Sequence, residues 1–89
     1  MQSRTIDELS EWLISYVANL LDIDRDSIDT RTPFERYGLD STAAAGLSGD
    51  LGEWLGIKLD ANLILQHPTI ESVANHLAAP EHNPEPARR

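Results

Sequence analysis

Residues 35–56, ERYGLDSTAAAGLSGDLGEWLG, join a turn, an acid and a hydroxyl to a run of small residues with regular leucines. Gly38 can take a positive φ and turn the chain. Asp40-Ser41 stands where a helix start wants a side-chain oxygen. From about Ser41 to Leu55, the residues Ala44, Leu47, Leu51, Trp54 and Leu55 fall on one side at 100° per residue. Gly56 follows, where a C-terminal stop is expected. The stretch therefore predicts a helix, and the rest of the chain must supply elements that cover its apolar side.

Upstream, Thr5-Ile6-Asp7-Glu8 is a capping box. Ile6, Leu9, Leu13, Val17 and Leu20 then recur at spacings of three and four, broadened by Trp12 and Tyr16, to a helix end near Leu21. Between Asp22 and Asp40 the periodicity disappears. Ile23, Ile28, Phe34, Tyr37 and Leu39 are expected to anchor this long loop on the core, with a single helical turn through residues 34–37. Pro33 disfavours helix at Thr32. Downstream, residues 59–65 allow a turn or two of helix. After His67-Pro68, Thr69 can cap a last helix whose Ile70, Val73, Ala74 and Leu77 face inward. No alternating strand pattern and no internal repeat competes. The fold class read here is all-α: a small four-helix bundle, three main helices plus one short helix, with a long loop between helices 1 and 2.

The folded part is placed at residues 5–78. Residues 79–89, APEHNPEPARR, contain three prolines and no large apolar side chain, and read as a disordered tail or linker. A chain of 89 residues is one domain at most, and its size argues against a deep enclosed active site. Fifteen acids against seven lysines and arginines give a formal charge of −8, which repels nucleic acid and anionic membranes and steers toward basic protein surfaces. There is no cysteine, no signal-peptide pattern and no run long enough to span a membrane. A cytoplasmic protein, monomeric as an isolated domain, is expected.

Several motifs fail on inspection. Asp22, Asp24 and Asp26 alternate like a calcium loop, yet its glycine position holds Ser27 and its glutamate position Pro33. His67, His76 and His82 make no zinc pattern, and no metal site is expected. Gly46, Gly49 and Gly52 lack the Lys-Ser or Lys-Thr of a phosphate loop. With Ala44 at 0°, these glycines fall at about 80° to about 200° on the helical wheel, an outer face. That face is either a tolerated weak helix or a bare surface for a partner. Ser41 has no G-x-S-x-G elbow, so a hydrolase nucleophile is not expected and no catalytic residue is named. Modification remains: a hydroxyl at a helix N-terminus places an attached phosphate beside free backbone N–H groups and the positive dipole end.

Residues 37–78, YGLDSTAAAGLSGDLGEWLGIKLDANLILQHPTIESVANHLA, resemble the second half of an acyl carrier protein domain from a modular polyketide or fatty-acid synthase. The family's Asp-Ser signature corresponds to Asp40-Ser41, and its approach to the last helix to Leu65-Gln66-His67-Pro68-Thr69. The resemblance implies a non-catalytic shuttle. Ser41 would receive 4′-phosphopantetheine from coenzyme A through a phosphopantetheinyl transferase, with Asp40 and Leu39 recognised by that enzyme. The arm's thiol would carry an acyl chain as a thioester among acyl-loading and chain-processing enzymes. The docking surface would include Leu39, Thr42, Gly46, Asp50 and Glu53. Thr42 and Ala43 stand where the family commonly has larger apolar residues, and Gly46 where many members carry glutamate. A peptidyl or aryl carrier of a non-ribosomal peptide pathway is the alternative within the superfamily, and an unmodified helical docking module is the alternative outside it.

Overall fold

The computed structural model describes residues 5–78, so the tail or linker expected at 79–89 lies outside the described residues. Four helices follow in order: α1 Ile6–Leu21, α2 Ser41–Leu55, α3 Leu63–Gln66 and α4 Ile70–Leu77. The described residues contain no strand. None of their helices is long and apolar enough to cross a membrane.

The capping box of α1 is formed: Thr5 Oγ1 accepts from the Glu8 amide at 3.0 Å, and Glu8 Oε1 accepts from the Thr5 amide at 3.1 Å. At the other end Asp22 takes the left-handed conformation, φ 58°, and its amide donates to the carbonyls of Ala18 and Asn19. Leu9, Leu13, Val17 and Ala18 are buried. Ile6 and Leu20, expected in the same stripe, are instead 41% and 49% exposed. The reason is length. Eight-residue α4, which packs on α1, spans about 12 Å against about 24 Å for α1, so it cannot cover both ends.

The long loop is tied down at several points. Ile28, Phe34 and Leu39 are buried and Tyr37 partly so, while Ile23 is exposed, contrary to expectation. Two short 3-10 turns lie within it, at Arg25–Ser27 and at Phe34–Tyr37. The Tyr37 hydroxyl accepts from the Asp29 amide at 2.7 Å and donates to the Asp29 carbonyl at 3.1 Å. An isolated antiparallel bridge pairs Pro33 with Thr69. Here the Phe34 amide donates to the Pro68 carbonyl at 2.7 Å, and the Glu71 amide to the Thr30 carbonyl at 2.9 Å. These bonds tie the loop to the junction of α3 and α4. That junction has its own capping box, between Thr69 and Ser72.

Helix α2 buries Ala44, Leu47, Ser48, Leu51 and Gly52, with Trp54 and Leu55 partly buried. Its last turn closes on Gly56, φ 75°, whose amide donates to the carbonyls of Glu53 and Gly52. Gly52 corrects the outer-face placement of all three glycines. A Cβ built there would stand 2.7 Å from the Ile57 carbonyl oxygen, because the chain after Gly56 folds back over that side. Gly46 and Gly49 do face open space.

Candidate functional site at the start of α2

Four consecutive residues build the site. Gly38 turns the chain with φ 84°, and Leu39 then inserts into the core at 8% exposure. Asp40 is the cap: its Oδ1 accepts from the Ala43 amide at 2.9 Å, while its carbonyl accepts from the Ala44 amide at 2.9 Å. Ser41 is the first helical residue, and it is exposed. The helix therefore begins at Ser41 as the sequence suggests, but the capping oxygen comes from Asp40. The Ser41 side chain has no part in holding the helix. In the first turn the amides of Ser41 and Thr42 have no intrahelical carbonyl to bond.

Beside Ser41 lies a shallow hollow of about 150 Å³. Its floor is apolar, from Phe34, Leu39, Ile64 and Pro68, and its rim holds Glu35 and the 64% exposed Leu65. The hydroxyl thus stands at the edge of a small apolar depression built jointly by the long loop and α3.

The residues expected to dock partners separate into three kinds. Thr42, Gly46 and Glu53 are exposed and share the outer face of α2. Asp50 is also exposed, but it accepts a hydrogen bond from the Tyr16 hydroxyl at 2.7 Å and so ties α2 to α1. Leu39 differs from these: the turn at Gly38 points its side chain inward, and it meets solvent only in the floor of the hollow beside Ser41.

Three features escape sequence reasoning. The rings of Tyr16, Trp12 and Trp54 form a continuous stack, with centroids 5.1 Å apart for Trp12–Tyr16 and 5.3 Å for Trp12–Trp54. Burial, followed by the hydrogen bond to Asp50 and the charge of Asp50, pushes the Tyr16 hydroxyl up to about 12. His67 and His76 stack at 4.2 Å, and burial together with the neighbouring His76 lowers the pKa of His67. No cluster of three or more histidine, cysteine, aspartate or glutamate side chains able to hold a metal occurs among the described residues. Finally, the Ser48 hydroxyl is 1% exposed and without a hydrogen-bond partner among the described residues. Only the i, i+4 spacing of Trp12 and Tyr16 was visible beforehand. Their partners on α2 are more than 30 positions away and carry no local signal.

The profile of the family described as "Phosphopantetheine attachment site" matches residues 11–77. The acyl carrier protein TtuC of Teredinibacter turnerae is 37% identical over 75 residues, covering 84% of this chain and 86% of that protein. The chain also matches several polyketide synthases, of which it spans only 2% to 6%. Among solved structures, the acyl carrier protein Asl1650 from Anabaena sp. PCC 7120 superposes with a TM-score of 0.79 at 38% identity, covering 88% of this chain and 89% of that one. A free-standing peptidyl carrier protein from Acinetobacter baumannii reaches the same TM-score at 31% identity, over 84% of this chain and 94% of that one. A four-helix chain with these relatives and this profile belongs to the acyl carrier protein family, whose members bear covalent phosphopantetheine and are not themselves catalysts.

Proposed function

We propose that Ser41 is the residue that bears 4′-phosphopantetheine, and that the protein shuttles acyl groups between enzymes of a polyketide-type assembly line. One observation carries the assignment: the Ser41 hydroxyl is exposed at the first position of α2, while Asp40 performs the capping that a serine there would otherwise do. The surroundings fit the group. The Ser41 and Thr42 amides and the helix dipole favour a phosphodiester. The apolar hollow beside them offers a resting place for the first atoms of a pantetheine chain. When bound, the arm supplies a terminal thiol that carries acyl groups as thioesters. This chain has no cysteine to supply one itself.

Attachment requires a separate phosphopantetheinyl transferase. The Ser41 hydroxyl attacks the phosphorus that bears pantetheine in coenzyme A, the pyrophosphate bond breaks, and 3′,5′-ADP leaves. The serine proton passes to a base of the transferase. Asp40 supports this reaction by fixing the helix start. Leu39, being buried, acts through the backbone it anchors. Thr42, Gly46 and Glu53 present the face on which synthase enzymes dock, with Asp50 at its edge. Incubating the protein with coenzyme A and a broad-specificity transferase tests the assignment: the wild type gains one arm in mass, and Ser41→Ala gains none.

The equal superposition on a peptidyl carrier protein leaves the cargo class to experiment. Loading of the armed protein by a malonyl-type acyltransferase supports the acyl reading, and loading only by an amino-acid or aryl-acid adenylating enzyme supports the alternative.

A further inference from the structure

Helix α3 is a single turn whose apolar residues divide between inside and outside. Successive helical residues point about 100° apart, so with Leu63 and Ile64 in the core the next side chain must leave it. Leu65 is 64% exposed, against 53% for Ile57, 49% for Leu20 and 41% for Ile6 and Ile23. Of these five exposed apolar side chains, only Leu65 lines the hollow that contains Ser41. The turn that carries it is held at both ends. The Leu63 amide donates to the Asp60 carbonyl at 2.9 Å, and the His67 amide to the Leu63 carbonyl at 2.9 Å. One residue further on, the Pro68 carbonyl accepts from the Phe34 amide at 2.7 Å. Leu65 is thus presented on a braced backbone, which lowers the ordering cost of any contact it makes.

We propose that Leu65 is a recognition residue for the phosphopantetheinyl transferase, entering an apolar depression of that enzyme beside its coenzyme A site. The proposal rests on attachment of the arm at Ser41. Leu65 and Ser41 line one hollow, so an enzyme that brings phosphorus to the Ser41 hydroxyl must lie against this rim. Covering the rim takes the leucine out of water, and that burial favours the complex. The charged groups of the hollow offer less. Asp40 is engaged as the cap of α2, and Glu35 is exposed, where an ion pair contributes little. Recognition at the start of α2 is therefore apolar, although the chain as a whole carries a formal charge of −8. Leu65 holds the protein substrate in place and takes no part in the transfer itself.

The test uses the full unmodified chain, saturating coenzyme A and a broad-specificity transferase, with initial rates of arm attachment read by mass spectrometry. Leu65→Ala is expected to lower kcat/KM for the protein substrate roughly tenfold, through KM, with kcat held within about twofold. Leu65→Met keeps the apolar volume and should restore the wild-type constants. Ile57→Ala removes a comparable exposed side chain beyond the far end of α2 and should change neither constant. Because the contact is apolar, the Leu65→Ala loss should persist as salt is raised from about 0.1 M to about 1 M. Circular dichroism verifies that each variant is folded. An unchanged KM in Leu65→Ala overturns the proposal, and is the result if the finished arm, rather than the transferase, covers this leucine. An equal loss in Ile57→Ala, a loss carried by kcat alone, or a loss abolished by salt overturns it as well. Modification of the wild type with KM unmoved in Leu65→Ala sinks this proposal alone. No mass gain in the wild type sinks the attachment reading, and this proposal with it.

Discussion

At the residue scale, Asp40, Ser48 and the α2 glycines each have a consequence that can be measured. Removing the Asp40 cap by Asp40→Ala is expected to lower stability by about 1 kcal/mol, read as a lower urea midpoint. It should also slow modification of Ser41, because the first turn frays. Ser48 runs the other way. Its buried hydroxyl lacks a partner, so Ser48→Ala should raise stability by about 1 kcal/mol. A loss instead would mean that the hydroxyl bonds within its own helix. The glycines separate by surroundings. Gly46→Ala meets open space and should stabilise by roughly 0.5–1 kcal/mol from helix propensity alone. Gly52→Ala should destabilise, because its methyl would press on the backbone carbonyl of Ile57. Gly46→Glu tests function on the same face. Unchanged acyl loading and transfer by native partners would show that the bare surface at Gly46 contributes nothing to docking.

At the scale of the elements, two side-chain pairings join helices that sequence periodicity treats separately. The Tyr16–Asp50 bond joins α1 to α2, and the raised Tyr16 pKa gives it a pH signature. The unfolded chain releases this proton near 10 and the folded chain near 12, so the unfolded state binds fewer protons between them. Stability should be fully present below about pH 10 and fall from pH 10 to pH 12. Tyr16→Phe should remove this decline, and denaturation midpoints at pH 8 and 11 give the comparison. The His67–His76 stack joins α3 to α4 with the opposite sign. The folded pKa of His67 lies below its ordinary 6.5, so stability is present above that value and lost as pH falls through the folded pKa. His76→Asn removes both the neighbouring charge and the ring stacked on His67, so it should reduce this acid sensitivity.

At the scale of the whole molecule, the parts legible in sequence were those set locally. The Thr5 and Thr69 caps, the turns at Gly38 and Gly56, and the 3.6-residue stripes of α1, α2 and α4 depend on neighbours within a few positions. Exposure at the ends of α1 was not legible, because it depends on the length of α4 as a partner. Gly52 was misplaced because the covering chain, Ile57 to Leu59, is not part of the helix that the wheel describes. At the site, Asp40-Ser41 was readable as a helix start. Which of the two caps and which stays free was not, since both residue types do either. The aromatic stack and the histidine pair depend on tertiary packing alone. The central claim is that one exposed serine, at the start of α2, bears the arm. Trypsin cleavage after Arg36 and Lys58 isolates residues 37–58, which contain Ser41, Thr42 and Ser48. Fragmentation of this peptide after transferase treatment with coenzyme A should place a single arm on Ser41; an arm on Thr42 or Ser48, or one retained by the Ser41→Ala protein, would contradict the account.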